Sequence, residues 1–378
     1  MRRIARSSAS LGLAVLVGLT LACGSGASAP ASKATTGSVP AGQAAPSGAA
    51  EKPAGGASPA PTAVQMRKLT LGVPVTPPNM VHLAPYIAQE QGFFREVGLD
   101  VEFKNFEGGV QSLRGSIAGG LDVAGTSSDP IIAAAARKVG IKAIGTYAPK
   151  LSVVMTGQDD IHSAADLKGR KIGIQEVGGF NEVMSRAVLQ TVGMTPNDVQ
   201  YVTVSTAGRV PGLVSKQIDA AILHIDQYYR AIGTNPGFTV VSKLWEILPK
   251  WWYSGYMVTD DQIRQDRARL VDFETAIVRA GRYMYDNRDR TVEIGTAATN
   301  QPRDVVEKAY DDLASGGIWA VNDGMPRDML EYTIDKEVEL GTIEAKDKPT
   351  YEQLVDRSIV DEAVQRNSGP WTGDPRWY

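Results

Sequence analysis

Leu121-Asp122-Val123-Ala124 and Ile218-Asp219-Ala220-Ala221 are two versions of one phrase: an apolar residue, an aspartate, then the start of an apolar strand. Each follows the end of a helix-like segment, Gly115-Ser116-Ile117 in the first copy and Gly212-Leu213-Val214 in the second. Upstream of each lies a second matching pair. In the first, Leu69, Leu71, Val73 and Val75 alternate with polar or small residues, which is strand periodicity. A turn at Thr76-Pro77-Pro78-Asn79 follows, then a short helix over 82–91 closed by Gly92, then a strand carrying Leu99, Val101 and Phe103. In the second, a strand over 171–175 leads through Val177-Gly178-Gly179-Phe180 to a helix over 181–192, with Val183, Ala187, Val188 and Val192 spaced for one buried face, and then to a strand over 199–204. Two matches at nearly the same offset predict two α/β lobes in tandem, each with a mostly parallel sheet covered by helices. Ligands in such sheets sit at the carboxyl ends of the strands, and with two lobes those ends can face each other across a cleft.

Composition narrows the function classes. Among 378 residues, 39 Lys+Arg stand against 42 Asp+Glu, and the net charge of −3 gives no long-range attraction for nucleic acid. A 43% apolar fraction is enough for a core. The single cysteine, Cys23, excludes an internal disulfide and a thiolate metal cluster.

The chain ends read differently from its middle. Arg2, Arg3 and Arg6 precede an uncharged apolar run over 11–22 that is too short to span a bilayer comfortably, so residues 1–22 are expected to be an export signal. Leu19-Thr20-Leu21-Ala22-Cys23 resembles a bacterial lipobox, although Thr20 departs from the leucine most frequent there; the resemblance implies lipidation of Cys23 and attachment on the extracytoplasmic side. Residues 23–65 are almost all Ala, Gly, Ser, Pro and Thr and read as a flexible tether. The expected boundaries are 66–155 for the first part of lobe 1, 156–254 for lobe 2, and 255–378 for the rest of lobe 1 with the C-terminal helices. In that last part Leu270, Phe273, Ile277, Ala280 and Met284 recur at helical steps.

Pro85-Tyr86-Ile87-Ala88-Gln89-Glu90-Gln91-Gly92-Phe93-Phe94 followed by Gly98-Leu99-Asp100-Val101 resembles the opening of solute-binding proteins of the nitrate, sulfonate and taurine class and their thiamine-pyrimidine (NMT1/THI5-like) relatives. Asp166-Leu167-Lys168-Gly169-Arg170-Lys171-Ile172-Gly173 is similar to that family's step into the second lobe. The resemblance implies a type II periplasmic-binding fold that delivers a small solute to the permease of an ABC importer, works as a monomer, needs no cofactor and catalyses nothing.

Four strand-end loops nominate the pocket. Asn79 and His82 offer donors and acceptors, with a helix cap as the competing role. Thr126, Ser127 and Ser128 place hydroxyls at a helix start that suits a carboxylate, a sulfonate or a polar ring edge. Gly178 and Gly179 allow close backbone approach, Phe180 can stack on a planar group, and Asn181 follows. His224 and Asp226 end the later strand, with Arg209 available to balance Asp226. In the aspartate loop Gln227 stands where sulfonate-type relatives often have proline. Of the aromatic run Trp251-Trp252-Tyr253, Trp252 is the ring selected to close over a ligand. His162, beside a charged turn, reads as solvated surface.

Some THI5-like relatives are enzymes that consume pyridoxal phosphate, but the 125–129 loop has no lysine for a Schiff base and the chain has no cysteine-rich iron motif. No Walker loop, zinc cluster or serine elbow appears. The inventory favours a planar or heteroaromatic, pyrimidine-like solute. A nitrate, sulfonate or taurine-type anion remains the alternative, as does a sensor subunit that presents its ligand to a membrane receptor.

Overall fold

The computed structural model describes residues 66–372, all within one compact unit of the chain. The expected signal, Cys23, the tether, Trp377 and Tyr378 lie outside the described residues.

Ten strands form two five-stranded sheets: β1 (Arg67–Val73), β2 (Leu99–Asn105), β3 (Val123–Ser127), β4 (Ile141–Gly145), β5 (Val153–Gly157), β6 (Lys171–Ile174), β7 (Gln200–Thr203), β8 (Ala220–His224), β9 (Thr239–Lys243) and β10 (Ser254–Thr259). The first sheet has the order β2-β1-β3-β10-β4 and the second β7-β6-β8-β5-β9. The orders correspond position by position. In each sheet three neighbouring strands are parallel, and the fourth position is taken by an antiparallel strand from a chain crossing, β10 in the first sheet and β5 in the second.

The repeated aspartates are register clamps. Asp122 Oδ2 accepts the backbone N–H of Thr70 at 2.7 Å and its hydroxyl at 2.8 Å, while the Asp122 N–H returns to the Thr70 carbonyl at 3.0 Å. Asp219 Oδ2 likewise accepts the N–H of Lys171 at 2.8 Å, and its own N–H donates to the Lys171 carbonyl at 2.8 Å. Each carboxylate thus satisfies a donor at the open edge where two parallel strands begin, one residue before the ladder pairs Leu71 with Val123 and Ile172 with Ala220. Arg269 adds a 2.9 Å ion pair to Asp122.

The two βαβ readings hold with shifted ends. The first helix runs Ala84–Glu90 after a 3-10 turn at Met80–His82, and the second runs Phe180–Gln190. Val183, Ala187 and Val188 are buried as expected, but Val192 is 43% exposed, because the chain leaves the helix before it and turns at Gly193, whose φ is 71°. The long C-terminal helix Asp260–Asp286 packs on the first sheet, with Phe273 stacked on Phe94 at 5.9 Å and edge-on to Tyr256 at 5.0 Å. The Trp371 backbone exchanges hydrogen bonds with the Asn322 side chain.

Replacing Asp219 with Ala is expected to destabilise the protein by about 1 kcal/mol and Asp122 with Ala by about 2 kcal/mol, since the latter also loses the Thr70 hydroxyl and Arg269. Urea denaturation measures both; equal effects would contradict the extra bonds assigned to Asp122.

Candidate functional site

The strand ends of both sheets converge on one small pocket. It is lined by His82 and Ser127 from the first sheet's loops, by Glu176, Phe180 and His224 from the second's, and by Tyr147 and Tyr253 from the crossings, and its volume is about 20 Å³. His82, His224, Phe180, Tyr147 and Tyr253 are each at most 7% exposed. Their rings form a continuous set. His82 lies 5.2 Å from Tyr147 and 5.5 Å from His224, Phe180 stacks on His224 at 6.0 Å and 16°, and Tyr253 meets Phe180 at 4.9 Å. The Tyr253 hydroxyl is shared between the Nε2 atoms of His82 and His224, at 3.4 Å from each.

Two polar contacts join the sheets around this cavity. Asn79 Nδ2 donates to Asp226 Oδ2 at 3.2 Å. Glu176 Oε1 accepts the N–H of Val110 at 2.8 Å, at the first turn of the helix Gly109–Ile117. A carboxylate there pairs with unsatisfied N–H groups and with the positive end of the helix dipole. Gly108 makes the approach possible: a Cβ on it would lie 2.1 Å from Glu176 Oε1.

Burial sets the charge states. It pushes His82 down to about 3, assisted by the Arg209 cation, and holds His224 well below its ordinary value, so both imidazoles are neutral. Burial raises Asp226 to about 6 and lowers Arg209 to about 10. Glu176 is raised by burial as well.

The structure brings together most of the residues nominated from sequence and separates others. Thr126 Oγ1 and Ser128 Oγ are buried without a hydrogen-bond partner, and the Ser128 N–H donates to the Tyr253 carbonyl at 2.8 Å. Gly178 takes φ 73° and its N–H donates to Glu182 Oε2 at 2.6 Å; Gly179 caps the Phe180 helix. Asn181 Nδ2 and Arg209 Nη1 both donate to the Ile222 carbonyl, at 3.0 and 2.8 Å, behind the His224 end of β8. Arg209 keeps Nε and Nη2 unpartnered. Trp252 is placed elsewhere: it is fully buried in the first sheet's core, with its indole N–H donating to the Gly324 carbonyl at 3.1 Å. Its neighbour Tyr253 faces the cavity. Successive side chains of an extended run point to opposite sides, so the residue beside a core tryptophan is the one presented to the cleft. Glu176 and Tyr147 were not singled out by sequence. Glu176 had a local signal, its place just before the Val177-Gly178-Gly179 turn, whereas Tyr147 had none. His162 is exposed.

A family model described as "NMT1/THI5 like" matches residues 79–291, more than half of the chain. A Brucella abortus protein named provisionally as a binding protein is 28% identical over 213 residues, covering 55% of this chain and 65% of its own length. A formylaminopyrimidine-binding protein of Halalkalibacterium halodurans is 26% identical over 149 residues, 38% of this chain and 44% of that one. The alkanesulfonate-binding protein SsuA of Xanthomonas axonopodis pv. citri, solved bound to MOPS, superposes with TM-score 0.64 at 15% identity, over 77% of this chain and 98% of that one. This likeness shows the periplasmic-binding fold. The chain spans about 65% of the length of the first curated relatives it matches.

Because His82 and His224 are neutral when buried and take a proton near 6.5 when free, their contribution to the folded form is present above about pH 6.5 and is lost as pH falls below it. The melting temperatures of His82→Gln and His224→Gln, taken relative to the wild type, are expected to rise from pH 7 toward pH 5, because the variants lack the imidazole that must stay neutral when buried. A difference from the wild type that does not change with pH in either variant would refute the assignment.

Proposed function

We propose, on the premise that the chain belongs to the NMT1/THI5-like family, that it is an extracytoplasmic solute-binding protein that captures a small organic solute between two lobes and delivers it to the permease of an ABC importer. The observation that carries this reading is the ring set of His82, His224, Phe180 and Tyr253, drawn from both sheets onto one cavity. Stacking surfaces with neutral nitrogen donors and acceptors suit a planar heteroaromatic such as a pyrimidine. The lobes would separate to admit it, since the cavity of about 20 Å³ holds no ring as it stands. The formylaminopyrimidine-binding relative is consistent with that ligand class. Binding involves no covalent step, and the chain is read as a monomer without a resident cofactor or metal.

One observation favours the second reading, an anion of the sulfonate or nitrate kind. Arg209 is fully buried and presents two unpartnered guanidinium nitrogens. Lipidation of Cys23 would hold the protein at the membrane by the tether over 23–65.

A thermal-shift screen with separate pools of pyrimidines, aromatic acids, sulfonates and inorganic anions decides between the two. A saturating ligand is expected to stabilise the protein by about 2–4 kcal/mol. A heterocycle response lost in Phe180→Ala supports the first reading, and a response confined to sulfonates or nitrate and lost in Arg209→Gln replaces it with the second. Cys23→Ser is expected to move the protein from the membrane to the soluble fraction of the producing cells, and continued membrane retention would remove the anchor.

A further inference from the structure

Two buried carboxyls meet beside the solute pocket without a cation to hold them. Asp129 lies in the first turn of the helix Ser128–Ala136, two residues past Ser127 of that pocket, and is 2% exposed. Glu337 lies in the last turn of the helix Arg327–Glu339 and is 0% exposed. The two helices pack on each other, and both residues line one cavity of about 330 Å³. Their side chains come within hydrogen-bonding reach of each other. As two ionised groups they would leave both Asp129 oxygens and Glu337 Oε1 buried with no partner. A bond between two carboxyls requires a proton, one O–H donating to the other's oxygen. Like charges confined to one buried site do not both ionise.

The surroundings favour the shared proton. Burial raises both groups, and the Asp129 charge raises Glu337 further. Glu176, from the second sheet, adds negative charge near Asp129, and Tyr147 and Tyr253 offer only phenols. The cation facing Glu337 is Arg186, which already pairs with Glu182. Arg114 and Arg137 stand on the rim of the cavity and are exposed.

Glu337 also shapes a contact between the sheets. Thr342 folds back on it, its N–H and hydroxyl reaching the Glu337 carbonyl at 2.9 and 2.7 Å and the hydroxyl also reaching the carboxyl. The turn so formed presents two carbonyls to the second sheet's helix Phe180–Gln190. Gln190 Nε2 donates to Glu339 at 3.3 Å and Arg186 Nη1 to Leu340 at 3.5 Å.

We propose that Asp129 and Glu337 hold one proton between them, and that its loss as pH rises frees the turn over 337–342 from the second lobe and loosens the solute-binding form. This rests on the reading that two lobes part and rejoin. The proton passes through the cavity to a solvent base, and only the O–H bond changes. Two carboxylates then repel in a poorly screened interior. Asp129 is held within its helix, so the displacement falls on Glu337 and its turn. Because both groups are raised by folding, their stabilisation is complete in acid and is lost as pH rises through the folded values. The effect of His82 and His224 has the opposite sign and is confined below about pH 6.5, so a window of about pH 7 to pH 9 isolates the pair.

The test compares the full chain with Glu337→Gln, whose amide donates to Asp129 at every pH, and with Asp129→Asn, which donates in the other direction. Infrared spectra at about pH 7 are expected to show a protonated carboxyl in the wild type that is missing from both variants. Across the window the folding equilibrium constant of the wild type is expected to fall by up to tenfold per pH unit relative to Glu337→Gln. Small-angle X-ray scattering is expected to show the wild type expanding over the same range and the variant keeping its dimensions. An infrared difference that fails to appear overturns the shared proton. A proton that is present but leaves the dimensions unchanged overturns its link to the lobes. A solute whose affinity for the wild type is the same at both ends of the window also overturns that link and leaves the solute reading standing. Expansion that depends on Glu337, without any solute hit, does the reverse.

Discussion

The carboxylate that pins the start of each central strand is the constraint on which the rest depends. Parallel strands have no hairpin to set their register, so their pairing must be fixed by side-chain chemistry or by packing. Asp122 and Asp219 do this by accepting the N–H of Thr70 within β1 and of Lys171 at the start of β6. With the starts fixed, β3 ends at Ser127 and β8 ends at His224. Both ends reach the same buried space, and a one-residue slip in either sheet would turn Ser127 or His224 to the opposite face.

The crossings supply what the repeated units do not. β10 enters the first sheet antiparallel, and Tyr253, the residue just before it, stands where the chain returns from the second sheet to the first. Its hydroxyl therefore lies between a histidine from each sheet, and its backbone carbonyl accepts the Ser128 N–H at 2.8 Å. One side chain thus senses the relative position of both sheets. Tyr147, on the outgoing side, packs edge-on to it at 6.0 Å and 90°.

Much of this was legible in the sequence because it is periodic or local. Strand alternation, the glycine turns and the repeated aspartate phrase announce two α/β units, and strand-end reasoning selects Asn79, His82, Phe180, His224 and Asp226 without any knowledge of distance. What escaped depends on tertiary contact. Trp252 and Tyr253 are equally aromatic, and only the core around Gly324 and Gly255 decides which one turns inward. Val192 continued the helical pattern but fell past the point where the backbone turned. Glu176 acts on a helix whose first turn is far away in sequence, and no spacing rule connects them.

The Glu176 contact also bears on time. The bond from Val110 to Glu176 and the bond from Asn79 to Asp226 are both made between protein groups, and each joins a segment of the first sheet to one of the second. If a solute enters by separation of the two sheets, these bonds part first. Capture would then have a ceiling set by the opening frequency of the protein rather than by diffusion, and the association rate would level off as solute concentration rises. A carboxylate on a helix N-terminus, modest in energy, would in this way act as the clock of the protein.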